Sequence, residues 1–129
     1  MAHTYSVGLL RSFVAQHRLV GGDWGKENER HLHHYRLEAI FEGDALDQHG
    51  YLLDISHVEP RLDRLVERYR DSMLNELPEM ADRNPSLERF ATVLADRLAQ
   101  DLPAGDVRAV TVKLWESETA FATCRRAVR

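Results

Sequence analysis

The run His31-Leu32-His33-His34-Tyr35-Arg36-Leu37-Glu38-Ala39-Ile40-Phe41-Glu42 decides how the chain is read. It is rich in aromatic and branched residues and predicts a strand from His31 to about Glu42. Side chains alternate along a strand, so His31, His33 and Tyr35 share one face while His34 and Arg36 take the other. Two imidazoles two residues apart on one face can converge on a single cation, and neutral imidazole is the commonest metal ligand. A third, His17, stands near the end of the preceding strand-like run Ser12-Phe13-Val14-Ala15-Gln16-His17-Arg18-Leu19. If the two runs pair as a hairpin, His17 comes beside His31 and His33. Three histidines and an open position are the pattern of a catalytic zinc. The bland reading of the same residues is a half-buried polar strand face, because His-x-His is a short motif.

Outward from this pair the chain reads strand, strand, helix, helix, strand, strand. The first strand is expected from about Tyr5 to Val20, followed by a glycine-marked loop from Val20 to Arg30 that is long for a hairpin. Ser56-His57-Val58-Glu59 has the form of a capping box with Pro60 in the first turn, and opens a helix. Its apolar stripe is Val58, Leu62, Leu65, Val66, Tyr69 and Met73. Asn84-Pro85 is read as the cap and first position of a second helix, with Leu87, Phe90, Ala91, Leu94 and Leu98 as its stripe. From Val107 onward Val110, Val112 and Leu114 alternate with Thr111, Lys113 and Trp115, and Ser117-Glu118-Thr119 turns the chain into a last strand. Strands and helices in runs predict an α+β fold with an antiparallel sheet and two helices on one face. Long unpaired strand edges then call for cover, and closure into a multi-subunit barrel removes them.

With 129 residues, a formal charge of −4 and acids and bases interleaved, the chain is expected to be one domain, residues 1–129. That balance argues against nucleic acid or an anionic membrane as a principal partner. A single cysteine, Cys124, has no internal disulfide partner, which fits a reducing compartment. No stretch approaches the ~20 apolar residues of a membrane span, and the first residues do not resemble a secretion signal. The expectation is cytoplasmic.

Phe13-Val14-Ala15-Gln16-His17-Arg18-Leu19 together with His31-Leu32-His33-His34-Tyr35 resembles the 6-pyruvoyl-tetrahydropterin and 6-carboxy-tetrahydropterin synthase family. The resemblance continues through Leu74-Asn75-Glu76-Leu77-Pro78-Glu79, Asn84-Pro85-Ser86 and Trp115-Glu116. It implies the tunnelling fold, usually a homo-hexamer of stacked trimers, and a zinc-dependent lyase acting on the side chain of dihydroneopterin or its triphosphate. Such enzymes serve the queuosine or the folate and biopterin pathways. By the same resemblance His17, His31 and His33 are the Zn2+ ligands, and Glu116 is the anchor that accepts two N–H bonds from the pterin. Read alone, Glu116 is an acid in register with the apolar face of its strand, either solvated beyond its end or specifically paired. Glu88 corresponds to a second acid near the pterin, although on a helix it can equally face water. Trp24 and Trp115 read as core or interface aromatics.

The chain departs from the family at its catalytic groups. Leu32 replaces a glycine. The cysteine that serves as general base before the His-x-His pair is missing, and Glu27 stands there within Lys26-Glu27-Asn28-Glu29-Arg30. The Asp-His pair expected before Leu74-Asn75 is replaced by Arg70-Asp71, which leaves Asp71 as the partner acid. Cys124, far along the chain, does not substitute for the base. A subgroup of the family carries Glu in place of the cysteine and is associated with a retro-aldol removal of the pterin side chain. Three readings stand: a zinc-dependent pterin lyase, a zinc- and pterin-binding protein without synthase activity, and a zinc protein whose ligand is not a pterin. Glu27 and Glu29 as plain solvated loop acids are the alternative to a catalytic Glu27.

Overall fold

The computed structural model describes residues 2–81 and 83–128. Four strands, β1 (Tyr5–His17), β2 (His31–Gly43), β3 (Ala109–Trp115) and β4 (Phe121–Ala127), form one antiparallel sheet in chain order. The two helices, α1 (Ile55–Tyr69) and α2 (Leu87–Gln100), lie between β2 and β3 in sequence. This is the ββααββ order expected. Alternation is strict: Phe13, Ala15, Tyr35, Leu37, Val112 and Leu114 are all buried on the helix side. α1 lies against β1, and α2 against β3 and β4.

Phe90 of α2 is the centre of the core. Its ring meets Phe13, Tyr35 and Tyr69 edge-on, with centroids 6.0, 5.1 and 5.1 Å away. Phe13 and Tyr35 stack across the β1–β2 pair at 5.5 Å. Such aromatic pairs are each worth about 0.5–1.5 kcal/mol beyond their buried area. They fix the floor on which the histidines stand, because Tyr35 in turn lies 5.8 Å from the His33 ring.

Three local expectations are corrected. The cap of α1 is Asp54, whose Oδ1 accepts the Ser56 N–H at 3.0 Å and also the Ser56 hydroxyl at 2.6 Å, so Ser56 lies inside the helix. A carboxylate accepts both donors at once, and it displaces the hydroxyl as cap. The cap of α2 is Ser86, accepting the Arg89 N–H at 3.1 Å, and Pro85 precedes it. Met73 falls beyond the end of α1 and reaches the core from an extended segment bridged to Gln16.

A partly buried ion cluster joins the helices. Glu79 accepts both Arg68 Nε and Nη2, at 2.6 and 2.7 Å, and the Tyr69 hydroxyl at 2.8 Å, while Arg97 Nη2 lies 3.1 Å away. The Arg68 fork is the main cause that holds the Glu79 carboxyl down to about 2; burial opposes it.

The sheet face away from the helices has no cover among the described residues: Leu10, Leu32 and Phe121 are about half exposed. The C-terminal half of β1 is closed at its edge, where Val14 O accepts the Asp71 N–H and Gln16 N–H reaches Ser72 O. β4 is the other outermost strand. No helix is long and apolar enough to cross a membrane among the described residues.

Candidate metal centre and adjoining cleft

The β1–β2 register pairs His17 directly with His31, and Ala15 with His33. Alternation puts all three imidazoles on the helix side of the sheet at its end. Their rings stand nearly perpendicular to one another, with interplanar angles of 72°, 85° and 81° and centroids 4.5–4.9 Å apart. Nε2 of each is buried and has no hydrogen-bond partner among the described residues. Three orphaned nitrogens facing one point are costly unless a cation or donor sits between them.

Backbone carbonyls set the ring orientations. His17 Nδ1 lies 3.1 Å from Pro85 O, and His31 Nδ1 lies 2.7 Å from Glu29 O. A carbonyl only accepts, so the proton sits on Nδ1 and the Nε2 lone pair is free to bind a metal. Burial lowers the His17 pKa; the Pro85 carbonyl raises it, and His33 and His31 lower it again. The net direction favours the neutral, ligating form.

Glu27 completes the cluster: its carboxylate and the three imidazoles offer ligand atoms that all lie within 4.8 Å of one another. Glu27 Oε2 is 2.8 Å from His31 Nε2, without hydrogen-bond alignment, and 4.0 Å from His17 Nε2. It arrives on a short 3-10 turn, Gly25–Asn28. Gly25 takes φ 62°, where an L side chain is strained, and Gly22 passes under the Trp24 ring, where a Cβ would come within 2.8 Å. The expected first strand to Val20 is shortened for a related reason. Past His17 the backbone is still paired, but by side-chain amides. Asn75 takes both polar groups of Arg18, and Asn84 both of Val20. Leu19 between them donates to Glu27 O, and its carbonyl accepts Asn28 Nδ2. The loop carrying Glu27 is thereby tied to the segment leaving His17.

Beside the centre lies a cleft of about 950 Å³, whose lining includes His33, Tyr35, Arg36, Asp71, Trp115 and Glu116. Glu116, just past β3, is partly buried and lines this cleft. Burial raises the Tyr35 pKa far above its ordinary value, and the charges of Glu116 and Glu27 add to it, so this phenol stays protonated. Asp71 is exposed in a left-handed turn, φ 59°, at the rim. Glu29 contributes its carbonyl, not its carboxylate. Glu88 is exposed in the first turn of α2 and does not line this cleft, so within one chain the structure separates it from the other acids. His34 lies on the opposite strand face from the metal cluster yet also lines this cleft, and Trp24 is 43% exposed and not a core residue. Neither the second-sphere carbonyls nor the Asn75 and Asn84 clamps were visible in the reading of the sequence. Asn84 is not the cap that its place before Pro85 predicts, and an Asn-Pro step outside a helix is an equally good signal for a loop clamp.

The family model described as 6-pyruvoyl tetrahydropterin synthase matches residues 7–127. No curated protein matches the chain. Among solved structures, the 6-pyruvoyl tetrahydropterin synthase of Caenorhabditis elegans aligns with TM-score 0.82 at 18% identity, covering 96% of each chain. The Plasmodium falciparum enzyme aligns with TM-score 0.80 at 13% identity, covering 96% of this chain and 98% of its own. A Plasmodium vivax 6-pyruvoyltetrahydropterin synthase aligns with TM-score 0.78 at 15% identity, over 97% and 99%, as a catalytic-residue mutant in which glutamate is replaced by alanine. At these identities the solved structures show the shared fold, and the match over residues 7–127 gives the family: the chain belongs to the 6-pyruvoyl tetrahydropterin synthase family.

Proposed function

We propose that the chain is a zinc-dependent lyase acting on the side chain of dihydroneopterin or its triphosphate, with Glu27 as general base. The observation that carries this is Glu27 Oε2 at 2.8 Å from His31 Nε2, on the rim of a three-histidine cluster with unpartnered Nε2 atoms. A glutamate described as catalytic in the Plasmodium vivax relative supports the same choice.

Zinc held by His17, His31 and His33 would supply Lewis acidity to an oxygen of the substrate side chain. Glu27 then stands where it can take the proton from a carbon or hydroxyl held at the cluster. Removing a hydroxyl proton with cleavage of the neighbouring carbon–carbon bond gives the retro-aldol outcome; removing a carbon-bound proton gives the synthase outcome. Glu116, in the same cleft as His33, accepts the two N–H donors of the pterin edge and sets its orientation. Tyr35 lines the floor as a neutral phenol. Asp71 at the cleft rim is the second acid, available to return a proton. Glu88 would join such a site only from a neighbouring copy, and assembly through open sheet edges into a homo-hexamer is part of the proposal.

The second reading, a zinc- and pterin-binding protein without turnover, is favoured by one observation. Asp71 is exposed and its backbone serves the β1 edge, so the second proton-transfer group is only loosely placed. Product analysis with dihydroneopterin triphosphate and dihydroneopterin separates the two. A released side-chain fragment or a pyruvoyl or carboxy product supports the lyase, and pterin binding with no product supports the second reading.

A further inference from the structure

We propose that the groove between α1 and α2 is a binding site for a phosphoanhydride, the paired phosphates of a small phosphorylated molecule. Arg61, Arg64 and Arg68 recur on one face of α1, and Arg97 faces them from α2, around a cavity of about 330 Å³. The chain as a whole is acidic, with a formal charge of −4, so four guanidinium groups in one groove are a local reversal.

The acids nearby do not account for these cations. Glu79 takes Arg68 and Arg97 behind the groove. Arg61 and Arg64 share the single carboxylate of Asp101, at 3.9 and 3.8 Å, too far for a hydrogen bond to either. Arg61 Nε is buried and has no hydrogen-bond partner among the described residues, whereas its Nη1 donates to His57 O at 2.6 Å. A buried guanidinium N–H without an acceptor is a cost that a phosphate oxygen would remove. Arg64 is 68% exposed and free to swing over the groove mouth. Guanidinium forks suit phosphate oxygens, which they take in pairs. Four guanidinium groups set against the two carboxylates of Glu79 and Asp101 leave two positive charges in surplus, which two neighbouring phosphates match. The groove lies on the helix layer, and none of its lining residues belongs to the histidine centre or its cleft, so this site is separate from the proposed lyase chemistry.

The test is calorimetric titration of the full chain with inorganic diphosphate and, in parallel, with ADP. Saturable binding is expected, weakening at least tenfold in Arg61→Ala/Arg64→Ala and falling as salt is raised. Tighter binding of ADP would assign an organic phosphate as the ligand; equal binding would assign the bare phosphoanhydride. Arg64→Glu, a change at an exposed position, should weaken binding as the double variant does. Because diphosphate can also bind zinc, His33→Ala is titrated as well and should retain the affinity. No saturable binding in the wild type, unchanged binding in the arginine variants, or loss of binding in His33→Ala overturns the proposal.

Discussion

His17 and His31 occupy directly opposed positions of β1 and β2, and their rings meet at 4.5 Å and 72°. Direct cross-strand neighbours are the closest side chains a sheet provides, and the geometry comes from register alone. Each ring is then held by a carbonyl from a different segment, Pro85 for His17 and Glu29 for His31. The centre therefore depends on both the strand pair and the loops that flank it.

From this follows the metal content. Purified without chelator, the protein should carry about one zinc per chain, with three imidazole ligands. His31→Ala should lose the metal and keep its fold, because His31 is only partly buried. Elemental analysis checks the first statement and circular dichroism the second. Metal-free wild-type protein would remove the centre from the account.

Glu27 and Glu116 should separate cleanly. Glu27→Gln keeps the size and hydrogen-bonding capacity but not the basicity, so zinc and pterin affinity should persist while kcat falls by roughly a hundredfold or more. Glu116→Ala should instead raise KM and the pterin dissociation constant first, since it serves recognition and not the reacting atoms. Steady-state kinetics with direct pterin titration distinguishes the two. Equal turnover in Glu27→Gln and wild type would take Glu27 out of the mechanism.

The ββααββ order and the histidine set were legible because both rest on period-2 alternation, which His31, His33, Tyr35 and Leu37 display without interruption. The same rule puts Glu116, one residue beyond β3, in register with Leu114, and the residue lines the cleft beside His33. What failed was local competition between polar side chains. Asp54 outcompetes Ser56 as cap because a carboxylate takes two donors, and Asn84 serves the Val20 backbone instead of α2. The direction of Glu88 was not legible for another reason: a helix position fixes direction only once the packed face is known, and α2 buries Phe90, Ala91 and Leu94, leaving Glu88 exposed and off the cleft of its own chain. Departures from a family pattern at Glu27 and Arg70-Asp71 were visible as residue changes. Their consequences depended on turn geometry, the 3-10 turn at Gly25 and the left-handed Asp71, which no periodicity encodes.

Acid should weaken the helix layer through Glu79. Its carboxyl is held down to about 2 in the fold, against an ordinary value of 4.5. A depressed carboxyl contributes stability that is fully present above about pH 4.5 and is lost as pH falls toward 2. Glu79→Gln should therefore be less stable than wild type at pH 7, by on the order of 1–3 kcal/mol. The difference should shrink as pH falls from 4.5 to 2. Urea midpoints of both proteins across that range test it, and a difference that does not change with pH would refute the assignment. Using the difference cancels the separate contribution of the histidines, which is common to both proteins.

Asn28 should control the base without touching it. Its Oδ1 accepts the Trp24 N–H at 2.8 Å, and its Nδ2 donates to Leu19 O and Gly22 O, each at 3.0 Å. One amide thus closes the loop from Gly22 to Asn28 and ties it to the segment leaving His17, with Glu27 as its direct neighbour. Asn28→Ala deletes all three bonds in a half-buried position and should cost about 1–3 kcal/mol of stability. Zinc binding should survive, because none of the three bonds is made to a histidine: the rings are set by strand register and by the Pro85 and Glu29 carbonyls. Turnover should fall, since Glu27 would no longer be fixed near His31. Asn28→Asp is the sharper variant: it keeps the acceptor for Trp24 but sets a carboxylate against two carbonyl oxygens. It should be at least as destabilised as the alanine variant. Denaturant unfolding, zinc content and kcat for the two variants decide the matter. Full turnover in Asn28→Asp would show that the loop does not position the base.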